Sequence, residues 1–153
     1  MKILLYRGKS FVSKAIQLQT RSPYSHVAIQ LDEHEIYEAW HVGGVRRLRY
    51  ATEGHDSGTV IDICRINNVS DGSVDKVRAF LQSQIGKKYD FKSVLRFITR
   101  RKVRADNRWF CSELVLAALE AGGIKLLNIN YSEASPRDVS ISPNLTYENT
   151  SGT

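Results

Sequence analysis

Ser25-His26-Val27-Ala28-Ile29-Gln30-Leu31, then Asp32-Glu33-His34, then Glu35-Ile36-Tyr37-Glu38-Ala39-Trp40 is the stretch on which the architecture turns. The first run alternates as a strand does, three turn-forming polar residues follow, and a second run returns, so the segment reads as an antiparallel hairpin. A tight turn centred on Glu33 sets Leu31 opposite Glu35, Ala28 near Tyr37 to Ala39, and His26 near Glu38 to Trp40. Strand side chains alternate between faces. In any even-sum register His26 and Glu38 therefore share a face as close or diagonal neighbours, about 4.5–8 Å apart. Over that distance a carboxylate can orient an imidazole.

Outward from the hairpin, Met1 to Tyr6 is an apolar first strand that stops at Arg7-Gly8-Lys9. It is too short for a secretory leader or a membrane span, and no other stretch reaches transmembrane length. Ser10 to Gln19 reads as a short helix with Phe11, Val12, Ala15 and Ile16 inward, Ser13 and Gln17 outward, and Thr20-Arg21-Ser22-Pro23 as its end. Gly43-Gly44 turns the chain into a strand at Val45 to Leu48, and the β-branched run Thr59 to Ile66 is another. Ser73 to Ile85 is a helix with Val74, Val77, Leu81 and Ile85 on one face, Ser73 as N-cap and Gly86 as its stop. Phe91, Val94, Leu95 and Ile98 mark a further helix. The last begins at Cys111, with Leu114, Val115, Ala118 and Leu119 on the same face and Gly122-Gly123 closing it. From Ser132 the chain is polar with two prolines, and Tyr147 to Thr153 reads as a frayed tail. The whole describes one α+β domain over residues 1–153, an antiparallel sheet packed against helices.

Of the 153 residues, 42% are hydrophobic and 25% charged, the balance of an ordinary globular chain. Two cysteines, Cys64 and Cys111, exclude a disulfide framework and a four-cysteine zinc site. A free thiol and the lack of a visible leader point to the cytoplasm, or to delivery by a signal-free route such as a virus particle. The net charge of +6 is concentrated at Arg96, Arg100, Arg101, Lys102 and Arg104, and again at Arg46, Arg47 and Arg49. Neither cluster carries a nucleic-acid motif or interleaved aromatics, so nucleic acid is not favoured. They read first as a solvated helix end and strand face, with contact to an anionic membrane surface or polymer left open.

Cys111 at a helix N-terminus lies where the macrodipole and unpaired N–H groups favour a thiolate. A thiol nucleophile needs a base, and a base needs an orienting group. Cys111 as nucleophile, His26 as base and Glu38 as orienting carboxylate fill those roles, with first-turn N–H groups to stabilise an oxyanion. Each also has a plainer reading: Cys111 as inert core, His26 as a satisfied strand residue, Glu38 as a solvated one. Cys64, inside a β run, reads as a buried structural thiol. His34, His41 and His55 fall in turn-like context without a role. A metal site from His26, His41 and Cys111 lacks ligand spacing, so neither a metal nor an organic cofactor is expected.

Ser22-Pro23-Tyr24-Ser25-His26-Val27, Tyr37-Glu38-Ala39, Gly86-Lys87-Lys88-Tyr89-Asp90 and Phe110-Cys111-Ser112-Glu113-Leu114-Val115 occur in one order. Together they resemble the circularly permuted branch of the NlpC-like papain-fold cysteine peptidases and amidases, the YiiX-like group. The resemblance runs from about Arg7 to Pro136, and the histidine-first order is also that of the lecithin:retinol acyltransferase family. It implies a papain-like fold, Cys111 as nucleophile, His26 as base, Glu38 as the third member, and Tyr89 lining the substrate site. It implies a thiol hydrolase cutting an amide bond through an acyl-enzyme, with a peptide or peptidoglycan fragment as the leading substrate. A lipid acyltransferase or thioesterase using the same triad is the enzymatic alternative. A binding module with a basic surface and an incidental thiol is the alternative from another class.

Overall fold

The structure, a computed structural model, describes residues 1–90 and 108–152. Among these residues eight strands form, in chain order β1 (Lys2–Arg7), β2 (His26–Asp32), β3 (Glu35–Trp40), β4 (Gly44–Leu48), β5 (Val60–Ile66), β6 (Lys88–Tyr89), β7 (Arg108–Trp109) and β8 (Leu145–Gly152). The helices are α1 (Phe11–Thr20), α2 (Asp71–Gln84), α3 (Cys111–Ala121) and α4 (Pro136–Ser140), with a 3-10 turn at Tyr131–Glu133. Six strands pair antiparallel in the order β4-β3-β2-β1-β5-β8, while β6 and β7 form a short parallel pair. The first strand thus lies inside the sheet, and residues far apart in sequence meet across it.

Alternation along β1 and β2 sends Ile3, Leu5, Val27 and Ile29 to one face, and Leu4, Tyr6 and Ala28 to the other. The first face takes α2 and α3 and carries most of the core, from Val77 and Leu81 to Leu114, Val115 and Leu119. Each such side chain removed from water contributes about 1.5–3 kcal/mol. The second face has a smaller apolar group, Leu4, Tyr6, Ala28, Ile36, Leu48 and Ile61. The segment after β4 crosses it, tied down where Tyr6 donates to the Ala51 carbonyl at 3.1 Å.

Several expectations change. The cysteine helix is not amphipathic: every residue from Cys111 to Leu119 is buried, because the sheet, α2 and the chain around Ala134 enclose it. On α1 the buried residues are Ile16 and Thr20, while Phe11 is 89% exposed. Gln17 there turns back to donate to the carbonyls of Gly8 and Pro23, while Ile16 and Val12 still pack on the core as the spacing predicts. The second helix starts at Asp71 with Ser70 as N-cap, earlier than Ser73, and Ile85 lies outside it and half exposed. The presumed frayed tail is β8, paired with β5 from Leu145 to Gly152. Its backbone is satisfied by the ladder, and Thr150 donates to the buried Asp62 at 2.5 Å, so a polar strand stays ordered. The helix expected at Phe91 to Ile98 lies outside the described residues. Among those residues no helix is long and apolar enough to cross a membrane.

Candidate active site

The β2–β3 hairpin adopts an even-sum register, with Ile29 opposite Tyr37 and Gln30 opposite Ile36, shifting only at the turn, where Asp32 meets Glu35. His26 and Glu38 accordingly share the face of Tyr6, and His26 Nε2 lies 2.7 Å from Glu38 Oε2. The same carboxylate oxygen lies 3.1 Å from His55 Nε2. Its other oxygen accepts from Arg46 Nε at 2.8 Å and Arg46 Nη2 at 2.6 Å. Glu38 is wholly buried, yet every side of it meets an N–H donor, which is what a buried carboxylate requires.

Aromatic rings wall this cluster. Tyr6 stacks on His55 with centroids 4.3 Å apart and meets His26 edge-on at 5.2 Å. Trp40 packs against His26 at 5.1 Å and His55 at 4.5 Å. His55 arrives on the segment after β4, and Gly54 before it has φ +72°. A Cβ there would stand 2.9 Å from Arg46 Nη2, so glycine lets the loop close over the arginine. At the other end of β4, a Cβ on Gly44 would come within 2.0 Å of the Lys87 carbonyl, which Val45 N–H needs.

Cys111 approaches from the opposite, helix-bearing face, where it packs with Val27, Tyr37 and Ala39. Trp109 is held by its indole N–H to Gln84 at 3.0 Å, and the Glu113 carboxylate accepts from Phe110 N–H at 3.1 Å. Together these fix the start of α3. The β2–β3 ladder stops at Ile29 and Tyr37. Val27 therefore has no ladder partner on β3, and its N–H, with those of Ser112 and Cys111 itself, favours the anion of the Cys111 sulfur. The sulfur thus lies near the strand that carries His26. Among the described residues no hydrogen bond joins it to the His26 ring. Tyr89 is buried beside Phe110, ring centroids 5.8 Å apart, and close enough to Cys111 for the thiol's charge to raise its hydroxyl further, after burial has done most.

The electrostatics correct the expectation of a resting thiolate. Burial pushes the Cys111 thiol up to about 12, outweighing the three N–H groups that favour its anion. Burial likewise lowers His26, against the pull of Glu38. Burial would raise Glu38, but His26 and His55 together hold it well below the usual carboxylate range. The resting site is a neutral thiol, a neutral imidazole and a carboxylate. An imidazole whose Nε2 faces a carboxylate carries its proton there, which leaves Nδ1 as the free base.

Arg46 and His55 were not read as site residues from the sequence. Arg46 is only partly exposed and bonded to Glu38, unlike the exposed Arg47 and Arg49 beside it. A signal for it existed, since a hairpin turning over His41-Val42-Gly43 places Glu38 opposite Arg46. For His55 there was none. One ligand atom each from His26, Glu38 and His55 lie within 4.8 Å of one another, a grouping that excludes His41 and Cys111.

A buried helix headed by cysteine, set against an antiparallel sheet whose histidine strand precedes it, defines a mixed α+β, papain-type fold. Among solved structures the chain is similar to the metalloprotein YiiX from Escherichia coli O157:H7, at a TM-score of 0.71 over 98% of this chain and 96% of that one. At 22% identity this likeness establishes a YiiX-like fold. Neither a family model nor a curated protein matches the sequence.

Proposed function

We propose that the protein is a thiol hydrolase in which Cys111 attacks an amide, ester or thioester carbonyl. The observation that carries this reading is the His26–Glu38 pair: its 2.7 Å contact fixes the Nε2–H tautomer and leaves Nδ1 free on the strand whose Val27 N–H favours the thiolate. Because the thiol rests protonated, the nucleophile forms as substrate arrives. The S–H proton passes to Nδ1 while sulfur bonds to the carbonyl carbon. The tetrahedral oxyanion collapses, the leaving group takes the proton from the imidazolium, and a thioester remains on Cys111. Nδ1 then deprotonates water, which releases the acid and restores the thiol. Glu38 stays ionised throughout and stabilises the imidazolium. Helix-start N–H groups of α3 serve the oxyanion, and Tyr89 lines the acyl side.

The resemblance to permuted NlpC-like enzymes makes a peptide or peptidoglycan fragment the leading substrate, and the motif order shared with the acyltransferase family makes a lipid ester the second. The rival reading is a binding module, and what favours it is the complete burial of Cys111. Intact-mass spectrometry after incubation with p-nitrophenyl acetate and p-nitrophenyl butyrate separates the two. The hydrolase gives an acyl adduct on Cys111 that vanishes in Cys111→Ala and forms at least about 100-fold more slowly in His26→Ala. Native protein that never acylates at Cys111 ends this reading in favour of the module.

A further inference from the structure

We propose that His26, Glu38 and His55 form a zinc-class metal site whose occupation switches the thiol hydrolase off. The metal site stands on geometry alone, and the switching rests on the hydrolase reading above. Two imidazoles and one carboxylate are the ligand set of open, three-ligand zinc sites. Their ligand atoms already lie within 4.8 Å of one another. Tetrahedral zinc with bonds of about 2.0–2.1 Å spaces its ligands about 3.3 Å apart. The present Nε2–Oε2 separations of 2.7 and 3.1 Å need to widen by only tenths of an ångström. Side-chain rotation supplies that without moving a strand.

The site is also built. The side chains of His26, Glu38 and His55 are 7%, 0% and 3% exposed, so binding strips little further water from them. Tyr6 and Trp40 hold both rings in place. Arg46 occupies Oε1, leaving Oε2 as the oxygen shared by the two histidines. Its guanidinium charge opposes a cation and keeps the affinity moderate, as a reversible regulator requires.

The switch follows from the tautomer. A metal on His26 Nε2 displaces the proton that now faces Glu38, and a neutral imidazole then carries its one proton on Nδ1. No proton is lost overall. The free base at Nδ1, which the hydrolase needs to accept the thiol proton, disappears, and Glu38 is taken up by the metal. Sulfur plays no part in holding the ion.

The test titrates EDTA-stripped protein with Co²⁺, read by visible absorption, and with Zn²⁺, read by calorimetry. One site is expected, retained in Cys111→Ala and weakened at least tenfold in His55→Ala. His55→Gln can still donate to Glu38 but is a poor zinc ligand, so the same loss there, with an unchanged melting temperature, separates ligation from folding. Saturating Zn²⁺ is expected to slow acylation at least tenfold relative to each protein's own metal-free rate, reversibly by EDTA, and to do so less in His55→Gln. Absence of binding at 100 µM metal, or binding lost in Cys111→Ala, overturns the site. Co²⁺ bound in the expected pattern to a protein that never acylates in EDTA overturns the switch through failure of the hydrolase reading, while the metal site stands.

Discussion

On one face of the sheet Leu5, Val27 and Ile29 meet the buried helix Cys111–Ala121; on the other Tyr6, His26 and Glu38 meet a loop. The core of the first face is apolar. Its energy is spread over many side chains, so no single one is indispensable and substitutions there act by degrees. The second face concentrates its interactions on one carboxylate, with two imidazoles and a guanidinium converging on Glu38. Removing that charge strands all its partners at once. Adjacent residues of one strand, His26 and Val27, serve the two faces, and Cys111 lies on the helix side. The hydrolase proposed above needs the tolerant face to hold the sulfur and the exacting face to hold the base.

The sharpest way to separate the faces is Cys111→Ala. It is expected to cut acylation by at least about 10³-fold while moving the melting temperature by only a few degrees, because a thiol and a methyl differ little in the apolar layer. Glu38→Gln should lower unfolding free energy by about 3–5 kcal/mol in urea, since Arg46 loses its ionised partner at a buried site. On the other face Leu114→Ala should cost about 2–5 kcal/mol. The comparison is then read in activity per folded molecule, preserved in Leu114→Ala and lost in Glu38→Gln.

Alkaline pH probes the thiol itself. Cys111 holds its proton to about 12 when folded, whereas an unfolded thiol releases it near 9.0. A raised acid stabilises the fold below the unfolded value, and that contribution fades as pH climbs toward the folded one. Denaturation midpoints should therefore fall from about pH 9 upward, and Cys111→Ser should flatten the fall. A midpoint that does not move from pH 8 to 10.5 would mean the thiol is less enclosed than described. The smallest effect is expected at Thr150→Val, about 0.5–1.5 kcal/mol by urea denaturation, because Arg7 and Tyr24 still serve Asp62 when Thr150 does not.

What the sequence made legible was local. Alternation from Ser25 to Trp40 defined the hairpin, and parity alone put Glu38 beside His26, since a period of two leaves only two registers. The helix at Cys111 was legible in position but not in surroundings. Three-residue and four-residue spacing cannot tell a helix packed on one side from one enclosed on all sides, and from that enclosure comes the raised thiol. Arg46 lay in a run of similar charges, and only a second hairpin register would have singled it out. His55 reaches Glu38 because a loop folds across the sheet, a long-range event with no periodic trace. The strand at 145–152 was missed because its residues are polar and lack the apolar alternation by which strands are recognised.

That last strand also bears on how the protein stays apart from its own copies. β5, Val60-Ile61-Asp62-Ile63-Cys64-Arg65-Ile66, is rich in β-branched residues, and an open row of N–H and carbonyl groups along it would invite another chain to pair. Leu145-Thr146-Tyr147-Glu148-Asn149-Thr150-Ser151-Gly152 covers that row and turns a polar edge to the solvent. During synthesis the guard emerges well after β5, with Thr150 closing on a residue 88 positions earlier. Until then the nascent sheet carries a sticky border, so aggregation is the hazard of interrupting the chain before β8.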